Sequence, residues 1–154
     1  RWVITKRASG YTASSAGKSE LEPDKYHIPM WVYAPKLIKP GKVDWMASQI
    51  DVAPTLLGLM GISYDSKFYG KDLMKEKPGR AFISNYQQLG YMTKNGLVIL
   101  KPVGQSSYYD RDGKTFTKTD SVPQDILSDA IGFFQGASHW ETWSKKESPA
   151  VPRR

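Results

Sequence analysis

The sequence has no cysteine and only two histidines, His27 and His139. The first absence excludes a disulfide framework, a thiolate nucleophile, a zinc knuckle and an iron–sulfur site. The second excludes a multi-histidine metal centre built from this chain alone. Long hydrophobic runs are also missing. The longest uncharged apolar stretch, Val52 to Ile62, falls far short of the roughly 20 residues a membrane-spanning helix needs, so a domain that does not itself span a membrane is expected. The chain opens Arg1-Trp2-Val3-Ile4-Thr5, without a Met-led basic and apolar leader, and reads as a fragment whose targeting segment would lie upstream. What is there suits one modest globular domain: 154 residues, 40% hydrophobic and 12% aromatic. Lys and Arg number 22 against 15 Asp and Glu, a net charge of +7 that favours anionic partners without choosing among them.

Trp2-Val3-Ile4-Thr5 is a short β-branched run expected to form a buried strand that delivers its last residues to a loop. Lys6 to Lys25, rich in Ser, Gly, Ala and charge, is that loop, of the kind that carries function. Ile28-Pro29-Met30-Trp31-Val32-Tyr33-Ala34 is nearly all apolar and ends at Pro35, which predicts a strand covered on both faces in a parallel sheet. After the Pro40-Gly41 turn, Asp51 to Gly61 predicts a helix. Asp51 would be its N-cap, Pro54 would fit its first turn and Gly61 would stop it, with Ala53, Leu56, Leu57 and Met60 as the apolar stripe.

The second half reads as an antiparallel meander. Ala81 to Gln87 and Leu97 to Leu100 flank a segment containing Asn95-Gly96, and Ser106 to Asp110 and Thr115 to Thr119 flank Arg111-Asp112-Gly113. Pro123 to Phe134 then predicts an amphipathic helix, with Ile126, Leu127, Ala130, Ile131 and Phe134 on its apolar face. The expected fold class is α/β: residues 1–78 form part of an α/β core, 79–140 an antiparallel sheet with a closing helix, and 141–154 a disordered tail.

Four clusters invite chemistry. Ala16-Gly17-Lys18-Ser19 looks like a phosphate loop, but Thr12 stands where that motif needs Gly, and Pro23 leaves barely one helical turn after Ser19. Asp110-Arg111-Asp112-Gly113 looks like the start of a calcium loop, but Lys114 and Phe116 replace oxygen donors, so a hairpin turn is favoured. Lys67, Phe68, Tyr69, Lys71, Lys75, Lys77 and Arg80 interleave charge with rings, yet no nucleic-acid motif accompanies them; they read as solvated surface, and no nucleic-acid partner is expected. His27, just before a strand, suits either a binding role or a structural bond to a carbonyl, whereas His139 reads as structural.

Several strings together resemble the C-terminal part of the sulfatase family, within the alkaline-phosphatase-like superfamily. They are Trp2-Val3-Ile4-Thr5, Asp24 to Pro35, Gly41-Lys42-Val43-Asp44, Ser48 to Leu57 and Phe68-Tyr69-Gly70-Lys71-Asp72-Leu73. Within that family the likeness is to the bacterial lipoteichoic-acid-synthase-like branch of phosphoglycerol and phosphoethanolamine transferases. Ile50-Asp51-Val52-Ala53-Pro54-Thr55-Leu56-Leu57 is its most specific part. The resemblance implies a partial sulfatase-type sandwich layer, followed by a small antiparallel sheet and a closing helix. It further implies a parent enzyme in which a divalent metal (Mn, Mg, Ca or Zn) activates a Thr, Ser or formylglycine nucleophile toward a phosphate or sulfate ester. It places that enzyme outside the cytoplasm, in the periplasm or at the cell surface, on a membrane-anchored parent.

Where the family runs from the first strand into an Asp-His or Asp-Asn metal-ligand pair, this chain has Lys6-Arg7, which would repel a cation. The chain alone is therefore expected to supply no catalytic residue and no metal ligand, and to be inactive. Lys18 and His27 remain as candidate contacts to an anionic substrate. This reading requires a parallel layer of 2–5 with 28–34. The isolated piece would expose sheet edges through which copies self-associate. The competing reading, from the +7 charge and the replaced ligand pair, is a non-catalytic anion-binding or interaction module.

Overall fold

The computed structural model describes residues 2–4, 21, 23–66, 68–85 and 87–147. The first sheet has three strands, β1 (Trp2–Ile4), β2 (Met30–Val32) and β3 (Gly41–Lys42), in the order β2-β1-β3. The second has five, β4 (Arg80–Ser84), β5 (Leu89–Thr93), β6 (Gly96–Leu100), β7 (Ser106–Asp112) and β8 (Thr115–Thr119), in sequence order. Between them lies helix α1 (Val52–Leu59), and after them the 24-residue helix α2 (Gln124–Glu147). No helix among the described residues is long and apolar enough to cross a membrane.

The first sheet departs from expectation in direction. β1 and β2 are neighbours but run antiparallel, with Trp2 opposite Val32 and Ile4 opposite Met30; the parallel partner of β1 is β3, at the Gly41 turn. The apolar run 28–34 predicts two-sided burial and hence a parallel sheet. In the structure exposure alternates along the strand, and Trp31 and Tyr33 are 55% and 79% exposed. That alternation marks an antiparallel pair with one open face. Pro29 and Pro35 flank the ladder and keep it short.

The second sheet is the core. Successive side chains of β6 point to opposite faces, and both faces are covered. Val98 packs with Tyr91, Tyr108, Ile126 and Ala130 on the α2 side, whereas Leu97 and Ile99 pack with Leu21 and Ile83 on the other. Each fully buried aliphatic side chain of this strand contributes about 1.5–3 kcal/mol by leaving water. Asn95-Gly96 lies at the junction of β5 and β6, as its hairpin signal requires, and β5 is an additional strand that the sequence reading did not separate out. The acidic string Asp110 to Asp112 is the paired end of β7, opposite Thr117 to Thr115 of β8, and the turn itself is the two residues that follow, Gly113-Lys114, with Gly113 at φ 59°.

Helix α2 buries Ile126 and Ala130, one turn apart, and presses Phe133 and Phe134 against the sheet, while Ile131 is half-exposed. It continues to Glu147, so the tail expected to be disordered from 141 is helical that far; 148–154 lie outside the described residues. α1 also differs from its expected face. Pro54 and Thr55 are its buried residues, while Ala53, Leu56 and Met60 of the anticipated stripe are exposed in this chain.

Candidate functional site

Two of the five strings that carry the family resemblance, Ser48 to Leu57 and Phe68 to Leu73, meet in space. Asp51 ends the 3-10 turn Gln49–Asp51 that leads into α1, and its carboxylate is fully buried. Oδ2 accepts the Ser48 backbone N–H at 2.8 Å and the Arg80 Nη1 donor at 2.7 Å. Oδ1 accepts the Lys71 backbone N–H at 2.8 Å and the Arg80 Nη2 donor at 3.0 Å. Four donors on one carboxylate satisfy the lone-pair sites of an ionised acid, which is the condition for keeping a charge away from water. The acid is thus more than the helix cap expected of it, because it makes no side-chain cap bond to α1 and instead ties three segments together.

Thr55 completes the arrangement. Its hydroxyl donates to the Asp51 carbonyl at 2.6 Å and accepts the Leu73 N–H at 3.0 Å, so α1 holds the 71–73 backbone at two points, Lys71 through Asp51 and Leu73 through Thr55. Gly70 makes that approach possible: a Cβ there would lie 2.0 Å from the Ile50 carbonyl oxygen. Ser48 Oγ accepts the Phe82 N–H at 3.1 Å, a further bond from this turn to β4. Arg80 lies against the rings of Phe82 and Phe133, 4.9 Å and 5.8 Å from their centroids.

Next to this hub an open cleft of about 250 Å³ lies between the 69–80 segment and the second sheet, lined in part by Lys71, Arg80, Tyr91 and Phe133. Tyr69 bridges the same seam. Its hydroxyl donates to the Phe133 carbonyl at 3.2 Å, in a place that a Cβ on Gly136 would fill. Burial pushes the Tyr91 hydroxyl above the usual tyrosine range, with Asp129 adding to the shift and Arg80 opposing it.

Of the expected contacts, His27 is half-buried just before β2, while Lys18, the Gly17 phosphate-loop string and Lys6-Arg7 lie outside the described residues. His139 is exposed on α2, with Nδ1 2.9 Å from the Gln135 carbonyl and its ring stacked on Trp143. The basic-aromatic set is divided. Lys71 faces Glu76, Lys75 faces Asp72 and Lys77 lies over Trp45, while Arg80, read as solvated surface, is 4% exposed and bound to Asp51. Its one sequence signal is a lone charge at the start of the apolar run 81–83, directly after Pro78-Gly79. No three His, Asp or Glu side chains gather among the described residues, so these residues do not fit a resident metal ion.

No family model matches the chain. Among solved structures it is similar to the crystal structure of a protein in the alkaline phosphatase superfamily from Vibrio parahaemolyticus, with a TM-score of 0.72 and 28% sequence identity. The match covers 83% of this chain and 33% of that one, so the chain spans about a third of the length of the structure it matches. The fold is a partial alkaline-phosphatase-like one, in which the antiparallel sheet and its closing helix follow the α/β portion. The parallel pairing of 2–5 with 28–34 that the family reading required is not present, since β1 and β2 run antiparallel, and it is the structural likeness that supports the superfamily.

Proposed function

We propose that this chain is the C-terminal portion of a metal-dependent phospho- or sulfo-ester hydrolase or transferase of the sulfatase type. The proposal extends to the lipoteichoic-acid-synthase-like branch, with a phosphoglycerol-type substrate and an extracytoplasmic, membrane-anchored parent. The observation that carries it is the structural likeness over 83% of the chain to an alkaline phosphatase superfamily protein. The clasp of the Ile50–Leu57 string on the Phe68–Leu73 string gives those resembling residues a physical role, and the bonds of Asp51 with Arg80 and of Ser48 with Phe82 brace the same turn against the second sheet. A divalent metal in such a parent would polarise the ester and activate a Thr or Ser hydroxyl. This chain's residues build a wall of the pocket and supply no metal ligand, and on its own it turns over no ester.

Calorimetric titration of the full chain with Mn and Zn, alongside assays on an aryl phosphate and an aryl sulfate, tests the division of labour. The expected result is silence in both for this chain, with turnover by the longer parent. Diacylglycerol release from phosphatidylglycerol by that parent would support the phosphoglycerol branch. Metal binding with turnover by this chain alone would overturn the division. The net charge of +7 also favours a second reading, a non-catalytic module that binds anions. Polyanion binding that weakens steeply with salt, with no turnover by the parent, would replace the first reading by the second.

A further inference from the structure

The two edges of the five-stranded sheet differ. At β4 the turn before α1 lies against the edge: Ser48 Oγ accepts the Phe82 N–H at 3.1 Å, and Arg80 is clasped by Asp51. At β8 no hydrogen bond reaches the outer backbone among the described residues. The pairing with β7 shows which groups are left over. The two-residue loop Gly113-Lys114 makes the closing pair, Asp112 and Thr115, a hydrogen-bonded one, and bonded pairs recur at every second residue. The Arg111 N–H agrees with this phase, since it turns away from β8 and donates to the Asn95 carbonyl at 3.0 Å. Thr115, Thr117 and Thr119 therefore bond to β7, whereas Phe116 and Lys118 direct their N–H and C=O groups outward. Sheets guard such an edge with proline, a bulge or an inward charge. β8 reads Thr-Phe-Thr-Lys-Thr, without proline, and its register with β7 is unbroken, so Lys118 is its one guard.

We propose that β8 is a self-association surface, on which a second copy of this chain adds its own β8 antiparallel across a two-fold axis at Thr117, joining two five-stranded sheets into one. Charge selects this register. An axis at Phe116 would set Lys118 opposite Lys114 of the second copy, an axis at Lys118 would set two lysines face to face, and like charges directly opposite destabilise a pair. With the axis at Thr117 the outward residues meet as Phe116 with Lys118, and each such pair exchanges both backbone bonds. The guard is thereby turned into a contact, because the Lys118 stem lies beside the half-buried Phe116 ring while its ammonium stays in water. Thr117 meets Thr117 and Thr115 meets Thr119, pairs that favour cross-strand contact. The surface rests on the edge alone and stands apart from the ester-enzyme reading.

Sedimentation velocity of the full chain from micromolar to millimolar concentration, with amide hydrogen exchange at both ends of that range, tests it. The expected result is a monomer–dimer equilibrium in which the Phe116 and Lys118 amides exchange several-fold more slowly at the high concentration. Lys118→Pro removes an outward N–H that the folded chain does not use, and is expected to abolish the dimer while the monomer stays folded. Thr117→Lys puts like charges on the axis yet sits opposite Asp110 within its own sheet, so the chain still folds and the dissociation constant rises about three- to tenfold. Tyr33→Ser trims the exposed face of the first sheet and should leave the dimer unchanged. A chain that stays monomeric at every concentration would overturn the proposal. So would association that is undiminished in Thr117→Lys, or that is lost in Tyr33→Ser, or that leaves the Phe116 and Lys118 amides unprotected.

Discussion

Asp51 and Arg80, 29 residues apart in sequence, face each other through two hydrogen bonds of 2.7 Å and 3.0 Å, with their side chains 0% and 5% exposed. The pair joins the entry of α1 to the first residue of β4, and the same carboxylate also holds the backbone at Ser48 and Lys71. A buried pair gains little over well-packed apolar residues, but removing one partner strands the other charge away from water. Arg80→Met and Asp51→Asn are each expected to lower unfolding free energy by about 3–5 kcal/mol. The double variant should lose clearly less than the sum of the two. Urea unfolding of all four proteins measures this coupling, and additivity would show that the pair does not act as a unit.

Gly70 and Gly61 separate two reasons for glycine. At Gly70 a Cβ would meet the Ile50 carbonyl oxygen at 2.0 Å, and backbone cannot swing aside as a flexible side-chain end can. Gly70→Ala should destabilise by about 1–3 kcal/mol or more, through overpacking that separates α1 from the 70–73 segment. Gly61, at φ 68° with nothing near its missing Cβ, should lose only about 1 kcal/mol on substitution by Ala. Thermal unfolding of the two variants orders them, and a reversed order would exclude the packing account.

Val103 sits at φ 63° and ψ 31° with 96% of its surface exposed. A β-branched side chain in the left-handed region is strained, and here burial offers nothing in exchange. Val103→Asn is expected to raise stability by about 1 kcal/mol, a gain readable from the shift of the urea midpoint. The β6–β7 connection should keep its geometry.

Tyr91 and Tyr108 both have hydroxyls raised above the usual tyrosine range. Burial is the first cause for each, followed by Asp129 for Tyr91 and Asp110 for Tyr108. Raised folded-state values mean that the folded chain holds these protons more tightly than the unfolded chain does. Their contribution is fully present below pH ~10 and is lost as pH rises through the folded values. Stability should therefore fall at alkaline pH. In Tyr91→Phe, whose ring cannot ionise, the decline above pH 10 should be shallower, as denaturation followed across pH 8–12 would show.

Much of the second sheet could be read from the chain because its signals are local: Asn95-Gly96, the turn at Gly113, and the spacing of Ile126, Ala130 and Phe134 on α2. β2 misled because an apolar run does not specify which of its faces is covered, so Trp31 and Tyr33 looked like core and the strand direction was inferred from that. The hub was half legible. Ile50 to Leu57 and Phe68 to Leu73 stood out as strings, but nothing in their one-dimensional order says that Thr55 would accept a bond from Leu73, or that Arg80 would neutralise Asp51. A lone Arg among lysines looks like surface charge until its partner is known, and the partner lies far away in sequence.

Every strand of the five-stranded sheet pairs only with strands next to it in sequence, so each hairpin closes a short loop. Such sheets assemble by zippering, with little entropy lost per step, and fold faster than sheets that must recruit distant segments. The first sheet, in contrast, must close across the stretch between Ile4 and Met30 before β1 and β2 can pair. Local closure of this kind is expected to set the register of the meander before the distant segments pair, with the Asp51–Arg80 contact across 29 residues among the later ones to form.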